Sequence, residues 1–274
     1  MSLEAQSRQV VLTTEDLESK TGRYKLSLSR ISTLPVKAIS IRTVTFRNLF
    51  YNVVNDGSSR TNNTFFFTLN GVLQEIEIEE GNYSVTQLLA ELKTKIDSIF
   101  LSSGIVPAPV LDDFSYNSIN AKVSMTVNGG GVATPFELTG GSFPQSINKL
   151  LGNTEDVILD TLTPTPYQFN TTVNVGGEDV ANLISSHLAN NNAFSSNVGE
   201  SFLSGRISNS LAMMPVNKEF GFLVEYRSQD LDAESIAYNI PIDCSSIDLH
   251  LADNKGRPLP LQNSSLNVEM FIWV

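Results

Sequence analysis

Apolar and polar residues alternate over short stretches along most of the chain. In "EIEIEE" (75–80), Ile76 and Ile78 fall on one side and Glu75, Glu77 and Glu79 on the other. Successive side chains of a strand point to opposite faces, so such stretches predict strands with one buried face. The same alternation occurs in "YKLSLS" (24–29), "VKAISIRTVTF" (36–46), "TFFFTLN" (64–70), "AKVSMTVN" (121–128), "YQFNTTVNV" (167–175), "GFLVEY" (221–226) and "SIDLHLA" (246–252). In "LNVEMFIWV" (266–274), Leu266, Val268, Met270 and Ile272 form one face, and Asn267, Glu269, Phe271 and Trp273 the other. Two aromatics on that second face suggest that it too meets a surface. Turn signals separate the strands: "NDGSSRTNN" (55–63), "NGGGVATP" (128–135), "TGGSFP" (139–144) and "DNKG" (253–256). The last closes a predicted hairpin between residues 247–252 and 257–261.

One stretch changes period. After "EIEIEEGN", Ser84 occupies an N-cap position with Gln87 three residues on, a capping box, and Tyr83 before it can pack on Leu88. Val85, Leu88, Leu89, Leu92, Ile96, Ile99 and Phe100 then recur at helical spacing, predicting an amphipathic helix at about 84–100. A weaker helical pattern covers 178–194. Eight to ten strands without regular strand–helix alternation predict an all-β, antiparallel β-sandwich. Residues 1–24 read as an N-terminal arm that could order against a neighbouring subunit. Residues 25–274 read as a single domain, with 128–200 as an insertion or long loops.

The chain has 274 residues, 17 % of them charged, and a net charge of −11. Asn, Ser and Thr carry much of the polarity and disfavour helix interiors. Binding a polyanion needs grouped cations. Here the densest group is Arg23, Lys25, Arg30, Lys37, Arg42 and Arg47, spread over strand edges, so no sequence-specific nucleic-acid binding is expected. A single cysteine, Cys244, excludes an intrachain disulfide. No signal-peptide pattern opens the sequence, and no apolar run approaches the roughly 20 residues of a membrane span. Glycosylation sequons at Asn62, Asn82, Asn170 and Asn263 are what chance yields in such a composition.

Catalytic material is scarce. His250 shares a strand face with Asp248, and His187 lies in "LISSHLANNN", but a metal site usually needs three or four ligands. Cys244 has Asp243 and Asp248 as neighbours, which raise rather than lower a thiol's pKa. Asp112 with Asp113, and Glu79 with Glu80, are carboxylate pairs of the kind glycoside hydrolysis uses, without a predictable cleft. Asp230, Asp232 and Glu234 in "SQDLDAES" have calcium-loop spacing without the glycine and distal glutamate of an EF-hand. No glycine-rich phosphate cradle or nucleophile elbow occurs. No catalytic, cofactor-binding or metal residue is assigned, and no enzyme is expected.

The run "FYNVVNDGSSRTNNTFFFTLNGVLQEIEIEEGNYSVTQLLAELKTKI" (50–96), above all "GNYS" followed by the capped helix, resembles a pattern in capsid proteins of large and satellite DNA viruses. The closing "SIDLHLADNKGRPLPLQNSSLNVEMFIWV" (246–274) resembles their last hairpin. The family resembled is the single jelly-roll penton, or vertex protein, of virophages, polinton-type viruses and related large double-stranded DNA viruses. The resemblance implies an eight-stranded jelly roll with the helix after an early strand pair. It also implies a homopentamer at the icosahedral vertex that contacts the major capsid protein. The protein would assemble in the host cytoplasm and reside in the virion. Minor capsid proteins, or a receptor- or carbohydrate-binding spike sandwich, are the alternatives. On this reading the helix plugs an open end of the sandwich.

Overall fold

Alternation turns into ladders over most of the chain. The computed structural model describes residues 7–14, 23–27, 35–55, 57, 60–143, 145–177, 179–185, 188, 193–195, 210–229, 235–242, 246–262 and 264–274. In chain order the strands are β1 (Ser7–Thr14), β2 (Arg23–Ser27), β3 (Val36–Arg47), β4 (Thr64–Leu69) and β5 (Val72–Glu77), then helix α1 (Val85–Ser102). β6 (Val110–Asn117), β7 (Lys122–Asn128) and β8 (Phe136–Thr139) precede the short α2 (Ile147–Leu150). β9 (Asp156–Leu159), β10 (Tyr167–Gln168), β11 (Val180–Ile184), β12 (Ala193–Ser195) and β13 (Ser210–Pro215) follow. The last are β14 (Leu223–Arg227), β15 (Ile236–Ile242), β16 (Ser246–Ala252) and β17 (Leu266–Trp273). Every pairing among them is antiparallel.

These elements form two compact units, Met1–Phe50 with Glu178–Val274, and Tyr51–Gly177. In the first, β1, β2, β3 and β11 pair in turn with β17, β16, β15 and β13. Four consecutive strand pairs are thus rolled into two sheets, β1-β17-β3-β15-β12 and β13-β11-β16-β2, with β14 on the far end of β3. That is the winding of a jelly roll, in which each sheet interleaves strands from the two ends of the chain. One core joins the inner faces. Val10, Ile39, Val44, Val268, Met270 and Ile272 come from one sheet, and Leu183, Leu211, Met214, Leu249 and Leu251 from the other.

The second unit lies in sequence between the third and fourth strands of the roll. It holds the sheets β5-β4-β8-β9 and β10-β7-β6, with α1 packed on β6 and β5. Its core is aromatic. Phe67 stacks on Phe136 with centroids 5.1 Å apart, and Phe100 meets both rings edge-on. The capping box forms as the spacing predicts: Gln87 N donates to Ser84 Oγ at 3.3 Å, and Ser84 N to Gln87 Oε1 at 2.9 Å. Leu88, Leu89, Leu92, Ile96 and Phe100 are the buried stripe.

Several expectations change. The helix does not plug the jelly roll: its buried residues all belong to the core of the second unit. Within the stretch 178–194, where a helix is expected, Val180–Ile184 is instead a central strand between β13 and β16. Four consecutive buried residues, Ala181–Ile184, carry no alternation, which is why the strand's period was hidden. The segment read as an N-terminal arm contains β1, which pairs along its whole length with β17. Of "YQFNTTVNV" only Tyr167–Gln168 is a strand. Beyond "DNKG" the return is an isolated bridge, Ala252 with Pro258, because Asp253 holds the turn instead.

Candidate assembly surface

A bulge in β3 builds the most distinctive surface of the first unit. Across β17, Thr43 sits opposite Glu269 and Ile41 opposite Met270, so Arg42 is an extra residue on β3. Bulges re-aim side chains. Here Ile41 stays in the core while Arg42 and Thr43 both reach the outer face. There Arg42 Nη1 lies 3.1 Å from Glu269 Oε1 and the guanidinium lies 5.7 Å from the centroid of the Phe271 ring. Thr43 Oγ1 donates to Glu269 Oε2 at 3.2 Å, and Gln9 Nε2 donates to the same carboxylate. Phe271 and Trp273, two residues apart on the same face, have centroids 6.3 Å apart. Val11 of β1, opposite Glu269, is 66 % exposed.

The electrostatics are local. Each of these polar groups has a partner within the face, so the surface can be covered without stranding a charge. An ion pair whose Arg is 48 % exposed contributes little to folding. Arg, Trp and Phe on one half-exposed sheet face, beside an exposed Val, match the composition of protein–protein contact cores. The face offers aromatic area and a guanidinium placed over it.

Of the residues singled out for chemistry, those among the described residues are not gathered here. Asp112 accepts from Asn128 Nδ2 at 3.0 Å and Asp113 from Ser115 Oγ at 3.0 Å, both in the second unit. Glu79 and Glu80 are exposed beyond β5. Asp248 accepts from Ser185 Oγ at 3.1 Å, and His250 lies half-buried on the same strand. His187, Cys244, Asp243, Asp230, Asp232, Glu234, Arg30 and Asn263 lie outside the described residues. Among the described residues no three His, Cys, Asp or Glu come together as metal ligands, and no helix is long and apolar enough to cross a membrane. The cations of the N-terminal group part ways: Arg42 engages Glu269, while Arg47 Nη1 donates to Gly221 O at 3.2 Å. Asn62 and Asn170 use their amides inside the fold, at Val54 N and Asn52 O and at Thr154. Sequence reasoning noticed Phe271 and Trp273 but not Arg42's part, because a bulge leaves no mark in a single sequence.

No protein-family model matches the chain, and no curated protein is similar to it in sequence. Its structure is similar to the crystal structure of the mavirus penton protein. The TM-score is 0.52 at 9 % identity, over 98 % of this chain and 100 % of that one. A cryo-EM structure of the Sputnik virophage also aligns, over 97 % of each chain at 13 % identity, with a TM-score of 0.42. The chain therefore shares its fold with the mavirus penton protein; in this chain that fold is an all-β jelly roll with a further unit between its strands in sequence.

Proposed function

We propose that this protein is a structural component of a viral capsid, a penton whose copies close into a five-membered ring at the icosahedral vertex and adjoin the major capsid protein. One observation carries the reading: the likeness to the mavirus penton protein runs over 98 % of this chain and 100 % of that one. The aromatic–guanidinium face on β3 and β17 supports it as one half of a head-to-tail contact, since a closed ring joins such a face on each copy to a different patch on the next. The role is structural, without turnover, and calls for no catalytic, cofactor or metal site. Its place is the virion, after assembly in the host cytoplasm.

Electron microscopy and native mass measurement of the purified protein test the proposal. Rings of five, or their incorporation into particles with major capsid protein, are the expected result. A protein that stays monomeric at high concentration and is left out of particles would refute it. Incorporation away from the vertices would make it a minor capsid protein instead.

A further inference from the structure

The second unit has two chemically different ends. At one, the chain enters and leaves. Asn52 Nδ2 donates to Tyr83 O at 2.7 Å and to Val175 O at 2.8 Å, beside the α1 N-cap Ser84. Helix α1 then runs 18 residues, about 27 Å at 1.5 Å per residue, to the other end. Four loops meet there. Asn70 N donates to Pro135 O at 2.7 Å, joining the β4–β5 turn to the segment before β8. Thr161 Oγ1 donates to Thr134 O at 2.8 Å and accepts from Thr134 N at 2.9 Å, and Gly129 N donates to Thr161 O at 2.8 Å. A Cβ on Gly130, whose φ is +66°, would lie 2.7 Å from Pro107 Cγ, so the loop after α1 packs directly on this one.

These cross-linked loops and the strand ends beside them display Val72, Val106, Val110, Val132 and Leu162, between 45 and 88 % exposed. A set of exposed aliphatics on loops that hydrogen bonds hold in place is a contact surface rather than slack chain. The loop segments 70–73, 101–110, 128–135 and 159–163 contain no Lys or Arg. Asp112 and Asp160 stand exposed at their edge, and Asp160 accepts from the Thr163 hydroxyl, from Thr163 N at 3.1 Å and from Leu162 N at 2.9 Å, which hold its carboxyl below the ordinary value. Residues 51–177 hold thirteen Asp and Glu against five Lys and Arg, a net −8 of the chain's −11.

We propose that this tip docks a protein segment that presents apolar side chains flanked by Lys or Arg. The acidic edge attracts such a segment and repels both an anionic membrane and the same tip of a second copy. The proposal stands apart from the assembly reading, since it uses no residue of the face on β3 and β17.

The test uses the full chain and three labelled peptides, an amphipathic Leu/Lys peptide, its Leu/Glu counterpart and a Lys/Ser peptide, read by fluorescence anisotropy. The Leu/Lys peptide alone should bind, more weakly as salt rises. V106S/L162S should lower its affinity about tenfold, as loss of central apolar contacts does. D112N/D160N should lower it and flatten the salt dependence, with ring formation unchanged in both variants and the thermal midpoint unchanged in V106S/L162S. Equal binding of Lys/Ser, unchanged binding by V106S/L162S, or stronger binding to phosphatidylserine vesicles would overturn the proposal. Self-association abolished by V106S/L162S would overturn it in favour of a second copy.

Discussion

The Asp253 carboxylate is completely buried and receives Arg257 Nε at 2.5 Å. It also accepts from Lys255 N at 2.8 Å and Arg257 N at 2.9 Å, so one side chain closes the turn after β16. Asp253→Ala leaves two backbone donors and a guanidinium without their acceptor. It should destabilise the first unit by about 3 kcal/mol. Trp273 is the only tryptophan and belongs to that unit, so its fluorescence during urea unfolding isolates the effect. Arg257→Met should cost less in the Asp253→Ala background than in the parent, because part of what Arg257 contributes runs through Asp253. Additive losses would contradict that.

On the outer face of β17, Trp273→Ala should weaken self-association roughly thirtyfold, the loss of a contact hot spot worth about 2 kcal/mol. Arg42→Ala should act in the same direction but less, and should leave the thermal midpoint nearly unchanged because the exposed ion pair adds little to folding. Sedimentation across a dilution series measures both. Unaltered association in the Trp273 variant would move the interface elsewhere.

Removing the α1 cap is a local lesion. Ser84→Ala loses the acceptor for Gln87 N and should cost the second unit about 1 kcal/mol. The helical circular dichroism signal should melt earlier while Trp273 fluorescence melts where it did. A shift in the tryptophan transition of equal size would show that the two units unfold as one.

Asp156 gives an acid-side signature. Its carboxyl is held below its ordinary value of 3.8, first by the Ser142 hydroxyl at 2.6 Å and then by the Ser142 and Gly141 amides. The unfolded chain therefore takes up this proton at higher pH than the folded one. The contribution is complete above 3.8 and disappears as pH falls through the lower folded value. Comparing thermal midpoints at about pH 5 and about pH 3, Asp156→Asn should show a smaller drop than the parent. Parallel drops would mean that the bonds in question contribute nothing.

Strands with one wet face were legible. "EIEIEE" and "LNVEMFIWV" could be read because Glu and Asn interrupt the apolar residues at every second place, and Ser84 with Gln87 marked the start of α1. Ala181–Ile184 defeated the same reading because all four side chains are buried, which leaves no period. β1 escaped it because Val11 points outward between the buried Val10 and Leu12, so "VVL" looks uniform. Where α1 docks could not be read from its stripe, since an apolar stripe fits any core of matching shape. The two units were illegible for a related reason: Phe50–Tyr51 and Gly177–Glu178 mark no change in composition, and the jelly-roll order depends on partners such as Gln9 and Glu269, 260 positions apart.

The pairing of β1 with β17 has a consequence for biosynthesis. Ser7 lies opposite Trp273, so β1 has no partner on this edge until β17, more than 250 residues further along the chain, has been translated. The inserted unit, wholly encoded in between, is free to fold meanwhile. Completion of the roll thus reports that translation has run through β17, and an abortive product lacking that strand would lack Phe271 and Trp273 as well. If copies associate through that face as proposed, a truncated copy is kept out of the assembly by the same omission that leaves it unfinished.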